Sequence, residues 1–193
     1  MIAAEPLIAE KGLGSVSVRM ITNAAVARNP SAVHYHFGSI EDLIKEVFAK
    51  RYRSIEEERN KRLAQVREND PDRLLAALIE AAIGPFMEAC LEEDGRLYVK
   101  FCLQFTADPR FDYAQLIALA SPESIGLLRA RVVSSLQHVG PVKLASRLRH
   151  GFMISLVQAV DYADKVEANA APPIGEAISE SAACLAAYLS APS

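Results

Sequence analysis

Apolar residues recur every three to four positions along nearly the whole chain, and alternation with a period of two never lasts long enough to make a strand. The pattern predicts an all-α protein of about nine helices. A short helix over residues 2–11 is stopped by Gly12. Pro6 suits a first turn, so this helix starts near Pro6, or begins upstream and is kinked. Ser17 is a good N-cap for about two turns near residues 18–25, with Val18, Ile21 and Ala25 on one face. In Arg28-Asn29-Pro30-Ser31, Asn29 can cap and Pro30 fits the first helical position. A third short helix follows to about His36. Gly38-Ser39 ends it, and Ser39 caps a long helix from Ile40 to about Arg67 with Glu41 and Asp42 in its first turn.

Asn69-Asp70-Pro71 stops the long helix. The next helix runs from about Asp72 to Leu91 and presents a broad apolar face from Leu74 to Cys90, with a kink expected at Gly84-Pro85. Arg96 to about Phe105 forms another helix, Asp108-Pro109-Arg110 a loop, and residues 111–120 are ambiguous. Pro122 to about Val139 is helical, and Gly140-Pro141 opens a helix that lasts to about Val166. After the loop Asn169–Pro173, Ile174 to about Ser190 is the last helix.

The chain has 193 residues, is 51% hydrophobic and 23% charged, and so is globular rather than disordered. No stretch approaches the ~20 apolar residues that a membrane span needs. No basic leader precedes an apolar run, so no signal peptide is visible. Cys90, Cys102 and Cys184 are scattered without a CxxC, which fits a reduced cytoplasmic setting better than a disulfide framework or a zinc site. The net charge of −3 hides a split. Residues 1–67 carry eleven Lys/Arg against eight Asp/Glu, a balance of +3, and residues 68–193 carry ten against sixteen, a balance of −6. A basic head on an acidic body makes the question of a nucleic-acid partner local to the head.

Two short helices joined by a tight turn, with a third packed behind, are how a helix-turn-helix is built. The residues are more specific than the layout. Ser17-Val18-Arg19-Met20-Ile21, then Ala25, then Arg28 through Ser39 (ending in Tyr35-His36-Phe37-Gly38-Ser39), then Glu41-Asp42-Leu43, resemble the head of the tetracycline-repressor (TetR) family of bacterial transcription regulators. About 45 residues carry the resemblance.

It implies a DNA-binding domain over 1–45, linked by the long helix to about residue 67, and a ligand-binding and dimerisation body over 46–193. It also implies a DNA interface made of Ser17, Arg19, Arg28, Asn29, Ser31, His34, Tyr35 and His36. Ser17 matches a phosphate-binding hydroxyl. Arg19 matches a position that reaches a base edge, where the guanidinium fork suits guanine. Tyr35 and His36 match the backbone-contacting end of the recognition helix. Val33 and Phe37 fall to the core of the head.

Two positions depart from the family. Val26 stands where Gly is usual in the turn, and Ile40 where a Lys usually grips phosphate. The basic arm that often precedes the first helix is also missing. Weaker DNA binding than usual, or a start that lies upstream, is expected.

The blander readings differ from residue to residue. His34 and His36 are two positions apart, on different sides of a helix, and make a poor metal pair. His36 serves a structural role as readily as a phosphate contact, and Arg19 and Arg28 are solvated charges if they are not DNA contacts. Phe86, Met87, Cys90, Phe101, Cys102 and Phe105 are core or, if the kink opens space, the lining of a pocket for a small, mostly apolar effector. The run Gly151–Val160 is apolar nearly all round, and the last helix has one apolar face beside small alanines. A two-fold dimer through a four-helix bundle is expected from Leu148, Phe152, Leu156, Ala159, Ile178, Ala182, Leu185 and Leu189. One thick monomeric core is the alternative.

No nucleophile motif, phosphate loop or metal cluster is visible, so no enzyme, cofactor or metal is expected. The reading is a ligand-responsive repressor of a palindromic operator in double-stranded DNA. Its rival is a DNA-silent helical dimer that binds a ligand or a protein.

Overall fold

The computed structural model describes residues 4–24, 40–67, 70–106, 108 and 122–192. Among these there are eight α-helices and no strand, so the all-α expectation holds. They are α1 (Ala4–Lys11), α2 (Val18–Ala24), α3 (Ile40–Gln65), α4 (Pro71–Ala89), α5 (Glu93–Thr106), α6 (Pro122–Ser135), α7 (Pro141–Glu167) and α8 (Ile174–Ser190). A single 3-10 turn, Leu13–Ser15, joins α1 to α2. The expected third helix and the ambiguous 111–120 stretch lie outside the described residues.

Local chemistry sets most of the ends. Gly12 adopts φ +75°, the left-handed conformation that closes a helix, and its N–H reaches the Ile8 carbonyl at 3.0 Å. Asp70 caps α4 by accepting from the Arg73 N–H at 3.2 Å, with Pro71 in the first turn. Asn169, at φ 54°, closes α7 with a Schellman arrangement. Its N–H bonds the Val166 carbonyl, and the Ala170 N–H bonds that of Lys165 at 2.9 Å.

α4 continues through Gly84 and Pro85 without interruption. Between Arg73–Ala89 and Glu93–Gln104 the chain turns by 118°. That corner depends on Gly95, where a Cβ would stand 1.8 Å from the Ala89 carbonyl oxygen. Arg96 secures it by donating to the Cys90 and Leu91 carbonyls, both at 3.1 Å.

Two apolar clusters fill the interior. The first joins Ile8 and Ile21 of α1 and α2 to Leu43, Val47 and Phe48 of α3, and reaches Phe101 of α5 and Leu156 of α7. The head and the body therefore share one core, with α1 seated against α5. Tyr98 is its aromatic centre. Its ring lies 5.7 Å from Phe86 and 6.1 Å from Phe101, and its hydroxyl donates to the Phe48 carbonyl at 3.2 Å. The second cluster takes in the end of α3 (Leu63), the first half of α4 (Leu78), α6 (Val132) and the far end of α8 (Leu185, Leu189). α4 runs through both and carries the broadest contact of the body, against α8.

Candidate nucleic-acid interface and its coupling to the body

Ser17 and Arg19 are the two DNA candidates among the described residues, and both are exposed. The Ser17 oxygen accepts from the Met20 N–H at 3.3 Å, so the residue is the N-cap of α2. Capping uses a lone pair of the hydroxyl and leaves its proton to donate to a phosphate oxygen. Arg19, two positions further on, stands clear of the head's core, as a base-reading side chain must. Arg28, Asn29, Ser31, His34, Tyr35 and His36 lie outside the described residues, as does Val26. Ile40 opens α3.

α3 joins this head to the body. Its 26 residues span about 39 Å at 1.5 Å each. Its first turns belong to the core shared with α1 and α2, and Leu63 belongs to the second cluster. Between them sits a polar network that the apolar pattern gave no reason to expect. Arg59 is only 4% exposed. Its guanidinium donates to the Tyr52 hydroxyl at 2.6 Å, the Ala82 carbonyl at 3.1 Å and the Glu56 carboxylate at 3.3 Å. It also packs over the Tyr52 ring, 5.1 Å from its centroid. Glu56 in turn accepts from the Ser124 N–H at 3.2 Å and from the Ser124 hydroxyl, in the first turn of α6. Burial raises the Tyr52 phenol above its ordinary range, although Arg59 opposes that, so the ring stays neutral beside the cation.

Two more ties hold α3. Arg131 of α6 donates to the Leu63 and Val66 carbonyls at 2.8 and 3.0 Å, which satisfies the end of the helix. Arg62 bridges Glu58 at 3.1 Å and Glu88 of α4 at 2.5 Å. Gly84 makes room for it, since a Cβ there would lie 2.5 Å from Arg62 Nη1. The glycine at the expected kink of α4 thus seats a cation from α3.

The structure brings the predicted pocket residues together as packing partners. Phe86, Met87, Cys90, Phe101 and Cys102 are all at most 8% exposed and belong to one cluster. The Cys90 thiol sits within reach of the Phe86 and Ala159 carbonyls, and burial pushes it up to about 12. The side chain of Phe105 lies outside the described residues. None of these lines the open groove of about 700 Å³, which lies between the end of α3, the outer face of α4 and the start of α8.

Most of the residues expected at a dimer interface are engaged within the protomer. Leu156, Ala159, Ile178, Ala182, Leu185 and Leu189 are buried in the protomer itself, at most 8% exposed. The most apolar face of each helix faced its own core, as hydrophobic burial favours. Leu148 and Phe152 are half-buried. Val157 of α7 and Ala183, Cys184 and Ala187 of α8 are exposed on the outward surface of these two helices.

Residues 2–47 match the family model of the bacterial regulatory proteins of the tetR family. No curated protein matches the chain, and no solved structure does. The matched segment covers the cap at Ser17, the exposed Arg19 and the first turns of α3, and over these residues it supports a DNA-binding transcriptional regulator of the tetR type.

Proposed function

We propose that the chain is a homodimeric repressor in the cytoplasm that releases a palindromic operator when an effector binds its body. The observation that carries this reading is the fixing of α3 at both ends. Its first turns are part of the head's core, and Arg59, Glu56 and Arg62 clamp its second half to α4 and α6. A shift of α4 or α6 therefore reaches the head through a stiff helix rather than a loose linker. In a two-fold dimer the two heads meet successive major grooves, and a change in their spacing lowers affinity. Linkage requires DNA to weaken effector binding by the same factor.

The dimer pairs the outward faces of α7 and α8. Val157 is 53% exposed there, and Ala183 and Ala187 permit close helix approach. The reading assigns the chain no catalytic step.

The test is a fluorescence-anisotropy titration against the DNA upstream of its own gene, at two salt concentrations. Sequence-selective binding that weakens with salt is expected. Absence of such binding, with any longer N-terminus restored, would leave the DNA-silent helical dimer.

A further inference from the structure

The groove between α3, α4 and α8 has an apolar floor that includes Val66, Leu74, Ala77 and Ala81. Its volume of about 700 Å³ falls within the range of small-molecule sites. Its charges balance in number, but not in how they are engaged. Asp70 accepts from the Arg73 N–H at 3.2 Å, Glu80 from the Ser179 hydroxyl at 3.3 Å, and Glu88 from Arg62 at 2.5 Å. Arg67 and Arg73 also line the groove and are exposed, and their guanidinium groups have no partner among the described residues. Asp70 and Glu80 keep their charge on neutral donors and Glu88 is paired with Arg62, so among the described residues the charged groups of the groove that lack any partner are the two guanidiniums.

We propose that this groove binds an organic anion, a carboxylate with an apolar tail, whose charge is held by Arg67 and Arg73 and whose tail lies on the Leu74–Ala77 floor. Arginine suits that role because its planar fork matches a carboxylate in two bonds. The same groove touches the switch already described. Arg62 lines it, and a ligand carboxylate that reaches Arg62 competes with Glu88 and loosens the tie between α3 and α4. That last step rests on the regulator reading; the binding site itself does not.

Calorimetric titration of the full chain with octanoate tests the site, with octanol and octylamine as controls that share the tail but not the charge. Saturable binding of octanoate is expected, with both controls about tenfold weaker or worse. The R67Q/R73Q variant is expected to lose about tenfold in octanoate affinity while its circular dichroism is unchanged, since both side chains are exposed.

The proposal is overturned if octanoate does not bind, if octanol binds as tightly, or if the double variant binds like the parent. A DNA titration with and without octanoate then separates the two claims. Octanoate that binds but leaves DNA affinity unchanged refutes the link through Arg62. A chain that binds octanoate and no DNA supports the site and refutes the regulator reading.

Discussion

Replacing Arg59 by Ala tests the polar network at the centre of α3. The side chains of Arg59 and Glu56 are 5% and 13% exposed, so neither is solvated well enough to lose its partner cheaply. Arg59→Ala leaves the Glu56 carboxylate with its Ser124 donors but without a cation, and strands the Tyr52 hydroxyl and the extra bond to the Ala82 carbonyl. Breaking one side of a buried ion pair costs about 3–5 kcal/mol. With a urea m-value of about 2 kcal/mol/M, the midpoint should fall by about 2 M. R59M/E56Q removes both charges while keeping most of the volume, and should recover a large part of that loss. Urea unfolding followed by circular dichroism measures all three proteins. A loss below about 1 kcal/mol for Arg59→Ala, the range of an exposed pair, would refute the claim that this network is buried and structural.

Gly95→Ala forces a Cβ to within 1.8 Å of the Ala89 carbonyl oxygen, and should destabilise the protein by about 3 kcal/mol or more, read as a lower melting temperature. In native protein at pH 8, the buried Cys90 and Cys102 should resist a thiol reagent and react only after unfolding. The Cys90 thiol is raised from 9.0 to about 12 in the folded state, so its contribution is intact below pH 9 and is lost as pH rises toward 12. Tyr52, also raised, adds to the same alkaline loss above pH 10, and unfolding curves across that window should show stability falling with pH. Arg19→Ala should leave the melting temperature unchanged and weaken operator DNA about tenfold, whereas Ser17→Ala should also cost α2 about 1 kcal/mol of capping.

The sequence by itself determined the helical class, most of the helix boundaries and the family of the head. Those features are local. Gly12, Asp70-Pro71 and Gly140-Pro141 act on their own backbone, and the helix-turn-helix motif is a run of neighbours. Helix periodicity also announced an apolar face on α8, but could not say what covers it. The packing of α8 against α4 assigned that face to the interior and left the small-residue face outside.

The tertiary structure alone decided the rest, because it depends on pairs far apart in the chain. Glu56 meets Ser124 across 68 positions, and Arg62 meets Glu88 across 26. Nothing in the charged run Glu56-Glu57-Glu58-Arg59 distinguishes Arg59 and Glu56, which the fold largely buries, from the exposed Glu57. Gly84 reads as a bend, and nothing in the pattern singles out Gly95. Their roles, seating Arg62 and admitting the Ala89 carbonyl, exist only once another segment lies against them. The arginines of the groove likewise become a site only when α3, α4 and α8 converge, since one-dimensional periodicity records which side of a helix is apolar and not which elements meet there.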